Sequence, residues 1–402
     1  MGKIAGLSGY FPTCIPASPD VSAPSPPTGA VPMTQASEEV PRTADARTAD
    51  KPRPTVMMCP FTNPTNRYIQ IQKDLYRSIG YDVVPLSIKG LLNGGFFQLF
   101  KPENILAFHW LEYRPFKRDK GTARLNLTGS LLFAFYCSLM LIGRAKAVYF
   151  IHDHAVHDTI GFNRRLSVRI IALVRRLADF RVVHAPDFQA QYNAQYLPHP
   201  LYWDAPGQAP LTPRKYGATP QYSLLGVIRP YKQIDALLDV WPDECKLRIA
   251  GHGTEAYLAT LNAIIDRRSL RNVVQLDARF LTDAEFAQSI TDSDVLILPH
   301  AADSMLVSGA FFEAIGRVPL LISRATPFMV WAARKFDNVI LFNDISELPA
   351  IVQSVNASWP AIARNAGNLA IDEFGWNACR RRYEQFFEAV EGHRNAVEKP
   401  VV

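Results

Sequence analysis

The stretch Leu224-Leu225-Gly226-Val227-Ile228-Arg229-Pro230-Tyr231-Lys232 decides how this chain folds. An apolar strand runs into a glycine and then a turn with two cations. Ile234, Leu237, Leu238 and Trp241 follow at i, i+3, i+4 and i+7, the apolar stripe of a helix. Strand, cationic turn and helix start form a βα unit in which backbone N–H groups and positive charge converge where an anion would sit. Two readings fit the turn: a diphosphate cradle, or two solvated cations on an ordinary α/β connection.

The same rhythm extends in both directions. Downstream, strands are expected over 246–250, 273–276, 295–298 and 318–322 with helices between them. Gly251-His252-Gly253 follows the first of these strands and Pro299-His300 the third, and Ser308-Gly309 opens a helix over 310–315. Thr282 and Glu285 have the spacing of a capping box. Upstream, strands are expected over 55–59, 81–86, 105–109, 147–151 and 180–184. A helix from Arg67 carries Tyr68, Ile71, Leu75 and Ile79 on one face, and a helix from Asn163 carries Leu166, Ile170, Leu173, Val174 and Leu177. No GxGxxG follows the first strand, so dinucleotide binding is not supported.

This pattern predicts an α/β protein of two Rossmann-like domains, 54–200 and 221–375. A Pro/Gly-rich linker covers 201–220, and a helix from Trp376 with its tail covers 376–402. Residues 1–53, rich in Pro, Ala, Ser and Thr, bury too little apolar surface to offset their ordering entropy and are expected to be disordered. Met33 is an alternative start.

A net charge of +6 over 402 residues is too small to argue for nucleic acid and suits anionic substrates or an anionic membrane face. Cys14, Cys59, Cys137, Cys245 and Cys379 are scattered, with neither metal spacing nor a disulfide framework, as expected of reduced thiols in a cytoplasmic protein. No signal-peptide pattern opens the chain. The apolar run 131–142 is shorter than the roughly 20 residues that cross a bilayer. It follows the cations Lys117, Arg118, Lys120 and Arg124, and is either a core helix or one that leans into a membrane interface. Arg165, Arg169 and Arg176 stripe the next helix, where they are solvated or touch lipid phosphates.

Polar clusters fall at strand ends. His109-Trp110-Leu111-Glu112-Tyr113 places a histidine and a carboxylate where open α/β sheets bind ligands, although a capping histidine among core aromatics fits too. His152-Asp153-His154-Ala155-Val156-His157-Asp158 is the densest acid/base cluster, and its spacing matches no zinc site. A general base facing a cleft is the functional reading, and a helix-capping polar loop the structural one. Asp292-Ser293-Asp294 has the DxD form of a metal–nucleotide site, but it directly precedes an apolar strand and is read as a helix end. No metal is expected there.

In order, the segments 226–232, 247–253, 294–300, Ser308-Gly309 and 318–321 resemble the donor-binding half of glycosyltransferases with the GT-B fold, in which two Rossmann-like domains face a central cleft and a C-terminal helix packs back toward the first. More narrowly, the chain resembles bacterial exopolysaccharide β-mannosyltransferases of the xanthan type, most closely over 226–240. The resemblance runs from residue 55 to the C-terminal helix. It implies that Arg229 and Lys232, beside Gly226, neutralise a donor diphosphate. It implies that Ser308 and Gly309 offer backbone N–H groups to it, and that Gly251, His252 and His300 line the donor site. Glu313 stands where relatives hold the ribose, and Arg279 and Phe280 lie where the base is read. Asn63, Asn66, His109 and Glu112 fall on the acceptor side.

The sequence departs from the commonest pattern at Met305, where a partner glutamate usually stands, and in the short interval from Gly309 to Pro319. Both departures point away from the retaining group with paired glutamates and toward inverting relatives. An inverting transfer needs a general base, for which Asp153 or Asp158 leads and His152 and His157 follow. The expected reaction is therefore metal-independent and cofactor-free. It moves a hexose, mannose from GDP-mannose, to a lipid-diphosphate-linked oligosaccharide at the inner face of the cell membrane. A sugar-nucleotide epimerase of the same fold, or a non-catalytic scaffold, are the alternatives. Nucleic acid is not an expected partner.

Overall fold

The computed structural model describes residues 53–64, 66–119, 122–204, 216–300 and 306–397. The tail expected to be disordered, Cys14, Lys120, Met305, most of the linker and the last five residues lie outside the described residues.

The first half runs β1 (Thr55–Cys59), α1 (Tyr68–Ser78), β2 (Asp82–Pro85), α2 (Ile88–Leu92), β3 (Ile105–His109), the hairpin β4 (Phe116–Asp119) and β5 (Thr122–Leu125), α3 (Leu127–Ile142), β6 (Lys146–Ile151), α4 (Gly161–Leu177), β7 (Phe180–Val183), α5 (Gln189–Tyr192) and β8 (Gln195–Tyr196). The second runs β9 (Tyr222–Leu225), α6 (Ile234–Val240), β10 (Leu247–Ala250), α7 (Glu255–Arg267), β11 (Val274–Asp277), α8 (Asp283–Asp292), β12 (Val295–Leu298), α9 (Gly309–Ala314), β13 (Leu320–Arg324), α10 (Pro327–Lys335), β14 (Val339–Phe342), α11 (Leu348–Ser358), α12 (Gly367–Phe374) and α13 (Trp376–Val397).

Two parallel sheets result, in the orders β2-β1-β3-β6-β7-β8 and β11-β10-β9-β12-β13-β14. Strands β1, β3, β9 and β12 are buried along their whole length, which is why they read as unbroken apolar runs rather than alternating ones. The strand order reverses between β1 and β3 in one sheet and between β9 and β12 in the other. Open α/β sheets bind ligands at the carboxyl ends beside such reversals.

The opening stretch shows why glycine is needed at two positions. Gly226 turns the chain at φ 96° and Gly251 at φ 144°. A Cβ on Gly251 would lie 2.2 Å from the Gly226 carbonyl oxygen. The close approach lets the Gly226 N–H donate to Ala250 O (3.0 Å) and the Ile228 N–H to His252 O (2.8 Å). Two strand-to-helix turns thus lie side by side. Behind them Ile234, Leu237, Leu238 and Trp241 are buried, as the spacing predicts, and the Trp241 indole N–H donates to Cys245 O (2.8 Å).

The C-terminal helix returns to the first domain. On α13, Tyr383 Oη accepts from Gln72 Nε2 (2.9 Å) and Glu391 accepts from Tyr81 Oη (2.7 Å), while Phe387 packs edge-on against Tyr76. The two crossings between domains are tied together. The Leu201 N–H donates to Phe374 O (3.0 Å), and the Trp376 N–H to Asp204 Oδ2 (2.8 Å).

Some expectations are corrected. Helix α4 buries Ser167, Ile170, Ile171 and Val174, whereas Leu173 faces solvent, so the stripe is rotated by about one residue from the one the sequence suggests. Part of the basic stretch forms the β4–β5 hairpin. Between residue 322 and Trp376 the chain adds α10, β14, α11 and α12, which complete the second sheet and its cover. Asp292 ends α8, and the Asp294 carboxylate accepts the Gln221 N–H (2.9 Å) at the amino end of the sheet, away from the strand ends that bind ligands.

Candidate active site

A cleft of about 1100 Å³ opens between the carboxyl ends of the two sheets and is lined from both domains. From the second domain come Gly226, Lys232, Gly251, His252, His300, Ser308, Gly309 and Glu313. From the first come Asn63, Asn66, His152, Asp153 and His157. These are the residues from distant parts of the sequence that the fold brings together.

Lys232 is buried, and its Nζ donates to Leu225 O (3.1 Å). Burial pulls its pKa down to about 8. The ammonium lies 3.2 Å from where a Cβ on Gly226 would be, so the glycine makes room for the charge as well as for the turn. A buried ammonium in a cleft wall is a strong attractor for an anion, because the low dielectric that penalises it alone strengthens its pairing.

Across the cleft, Asp153 accepts from Tyr113 Oη (2.9 Å) and lies 3.2 Å from His157 Nε2. Burial pulls the His157 pKa down, but the charge and hydrogen bond of Asp153, with Asp158 beyond, outweigh it and leave the pKa raised. His157 Nδ1 is buried with no hydrogen-bond partner. The His157 ring stacks on Tyr231 (5.1 Å, 8°), and Tyr231 on His300 (6.0 Å, 28°), a column of three rings that joins the domains. Burial, with Lys232 and His157 nearby, holds His300 well below the usual histidine range and therefore neutral.

A second cross-domain contact flanks the cleft. Arg67, at the start of α1, lies 3.6 Å from Glu313 and 3.9 Å from Asp283, and donates to Tyr202 O (3.1 Å). Burial raises the Glu313 pKa to about 7 against the pull of Arg67 and Arg317, and its Oε2 has no partner. Asn66 Oδ1 accepts from the Tyr68 N–H (2.8 Å) and from Tyr202 Oη (3.0 Å).

Five expected site residues are not on the cleft wall. His109 is fully buried, stacked on Phe150 (4.2 Å) within a group that includes Tyr68, Tyr76 and His152. Glu112 is buried too, accepts from Tyr149 Oη (2.7 Å), and is pushed up to about 8 by burial and then by Asp153. Past β3 the chain leaves through a left-handed Trp110 into a 3-10 turn over Leu111–Tyr113, which puts Trp110, Tyr113 and Arg114 on the cleft and His109, Leu111 and Glu112 inside. Asp158 is paired with Arg118. Arg229 precedes the turn in an extended conformation (φ −143°, ψ 153°), and its side chain lies half-buried near that Arg118–Asp158 pair instead of beside Lys232. Arg279 is held by Asp277 (3.1 Å) and Glu285 (2.6 Å), the latter part of the expected capping box, and Phe280 lines the cleft in its place.

His152 also lines the cleft. Its Nε2 lies 3.2 Å from His109 Nδ1, and burial holds both rings well below the usual range and neutral. Sequence reasoning missed Arg67, Trp110, Tyr113, Tyr202 and Tyr231. Tyr231, inside the opening stretch, and Trp110 and Tyr113, in the polar and aromatic stretch after β3, had a local signal, whereas Arg67 and Tyr202 had none. Among the described residues, no group of three or more His, Cys, Asp or Glu side chains is arranged to hold a metal ion.

Two facing Rossmann-like domains with a central cleft and a returning C-terminal helix define the GT-B fold, the architecture of a large group of sugar transferases. No family model and no curated protein matches the chain. Solved structures do. HepE from Anabaena, in complex with UDP and glucose, superposes with a TM-score of 0.58 at 13% identity over 84% of this chain and all of that one. Sucrose-phosphate synthase from Thermosynechococcus elongatus gives 0.61 at 12% identity over 85% of this chain and all of that one. At these identities the likeness is one of fold.

Proposed function

We propose that the protein is a glycosyltransferase that moves a hexose from a nucleoside-diphosphate sugar to an acceptor hydroxyl in this cleft. The observation that carries the reading is the pairing of the buried Lys232 ammonium on one wall with the Asp153–His157 pair on the other. The ammonium is placed to take up charge as the bond between the anomeric carbon and the diphosphate breaks, where a fixed cation lowers the barrier most. The acceptor oxygen forms the new bond to that carbon, and its proton passes to His157. Both oxygens of Asp153 already face donors, Tyr113 and His157, which makes Asp153 the group that orients the imidazole and His157 the base. This shifts the base from the carboxylates that the sequence favours. Attack opposite the leaving group inverts the anomeric centre, and Lys232 does the work that a metal does elsewhere.

The sequence resemblance supports GDP-mannose as donor and a lipid-diphosphate-linked oligosaccharide of exopolysaccharide assembly as acceptor. UDP-glucose is the second donor to weigh, since UDP and glucose occupy the HepE complex. Phe280, 59% exposed on the cleft rim, is suited to stack on the base. The test offers GDP- and UDP-sugars to the metal-stripped protein with a membrane lipid extract and determines the linkage formed. Hexose transfer with inversion is expected. Failure of both GDP and UDP to bind the folded protein in calorimetry would overturn the reading, and turnover of the donor with no acceptor would replace it by an epimerase.

A further inference from the structure

The outer side of the first domain carries a surface that the transferase chemistry does not use. Right-handed crossovers put α2, α3 and α4 on one face of the first sheet and α1, with α13 against it, on the other. A helix covering such a sheet normally turns polar residues outward, as α1 does with Gln70, Asp74 and Arg77. Helix α3 has no charged residue in its 16 positions, and its outer side shows Leu127 (77% exposed), Leu131 (64%) and Leu141 (69%).

The apolar character continues at both ends of α3. At one end, Leu99 O accepts from the N–H groups of Arg144 and Ala145, which sets the exposed Phe97 and Leu92 beside it. At the other, Asn163 Nδ2 donates to Ala123 O (3.4 Å), which sets the exposed Phe162 of α4 close to the start of α3. Among the described residues, the exposed large hydrophobics outside 88–173 are only Val227, Phe280, Leu369 and Ile371. A contiguous apolar face of this kind marks an interaction site.

Charge selects the occupant. Exposed Lys89, Lys101, Arg124, Arg144, Arg165 and Arg169 lie on these elements or at their ends. No Asp or Glu occurs over 83–102, 120–152 or 159–178. A second copy would bring cations against cations, whereas anionic headgroups match them. No helix of the described residues is long and apolar enough to cross a membrane, so the fit is to a surface.

We propose that this face docks on an anionic lipid bilayer, with the apolar side chains of α3, Phe97 and Phe162 among the headgroups. Asn126, Thr128 and Gly129, where α3 begins, line the cleft, so its mouth opens at the bilayer surface. The docking stands on the surface alone. That the bilayer delivers a lipid-anchored acceptor to His157 rests on the transferase reading.

The test is flotation of the full chain with vesicles of phosphatidylcholine, or of phosphatidylcholine with phosphatidylglycerol, alongside calorimetry with GDP and UDP. The protein is expected to float with the anionic vesicles only. The double variants Phe97→Ser/Leu131→Ser and Arg165→Gln/Arg169→Gln should each weaken binding about tenfold or more and leave nucleotide binding unchanged. Absence of flotation, or flotation that neither variant weakens, overturns the docking. Self-association abolished by Phe97→Ser/Leu131→Ser assigns the face to a second copy and overturns it as well. Intact flotation with no nucleotide binding supports the docking and removes the transferase reading.

Discussion

At the scale of single residues, two cations three positions apart part company. Lys232 enters the cleft because the turn folds it back over Leu225 O, while Arg229, still extended, reaches the domain seam. Lys232→Ala is therefore expected to lower kcat/KM by about 10²–10³. Arg229→Ala should cost less than about tenfold, the ordinary value of a partly solvated charge. Equal losses in steady-state assays would return Arg229 to the diphosphate. Protonation gives an independent check. His157 must be neutral to accept a proton and its pKa is raised, so kcat/KM should climb through a pH above that of an ordinary histidine. It should fall again near pH 8 as free Lys232 loses its proton. In kcat the falling limb should move up, because a bound diphosphate stabilises the ammonium. His157→Gln should remove the rising limb from what activity remains. Glu112 makes a prediction about stability. Its folded pKa of about 8 lies above its ordinary 4.5, so the protonated form is the one the fold accepts. Stability from this group is complete below its unfolded pKa and is lost as pH rises through about 8. Glu112→Gln should flatten that decline in melting temperatures measured across the same range.

At the scale of elements, the sequence made most of the strands legible, because parallel strands buried on both faces are short apolar runs that little else resembles. The helix behind Lys232 was equally clear, since all four of its stripe residues are buried. Helix α4 was clear in existence and offset in face, because Leu173 and Ile171 are equally apolar and only packing chooses between them. The site was legible at the strand ends and blurred at the side chains. His152, Asp153 and His157 lie in a loop whose polar density is visible, whereas the inward turn of His109 and Glu112 depends on how the chain leaves β3, with Trp110 at a left-handed φ of 51°. Arg67 and Tyr202 carried no local signal, because their roles are set by partners up to 246 positions away, as with Arg67 and Glu313. The paired turns at Gly226 and Gly251 are the element on which the second half depends. Gly251→Ala, with a Cβ driven into a backbone oxygen at a φ that L residues avoid, is expected to cost at least about 2 kcal/mol in chemical denaturation. Gly80→Ala, also at positive φ but with nothing near its Cβ, should cost less, roughly 1 kcal/mol.

At the scale of the whole molecule, two sheets are tied by two neighbouring crossings, the Leu201–Phe374 and Asp204–Trp376 contacts, a geometry that permits one domain to swing on the other. What holds the cleft in the arrangement described is then the set of contacts that bridge it. The ring column His157–Tyr231–His300 is one, Arg67 with Glu313 is another, and the Leu306 N–H, which donates to His152 O (3.1 Å), is a third. The ion pair differs from a surface pair in that Glu313 is largely buried, its side chain 13% exposed against 75% for Asp283. Removing Arg67 would leave that carboxyl covered with only Arg317 to oppose its burial, which already holds its pKa near 7. Arg67→Ala should therefore raise the Glu313 pKa further, neutralise it at neutral pH, and remove the attraction between the domains at that point. Small-angle scattering should register a larger radius of gyration for the variant than for the parent chain, and saturating nucleotide should narrow the difference, since a ligand gripped from both walls favours the closed form. Arg67→Lys, which keeps the charge, should stay close to the parent. Equal radii for Arg67→Ala and the parent, with and without nucleotide, would mean that the ring column and the Leu306–His152 hydrogen bond hold the cleft without the ion pair, and Tyr231→Ala would then be the variant expected to widen it.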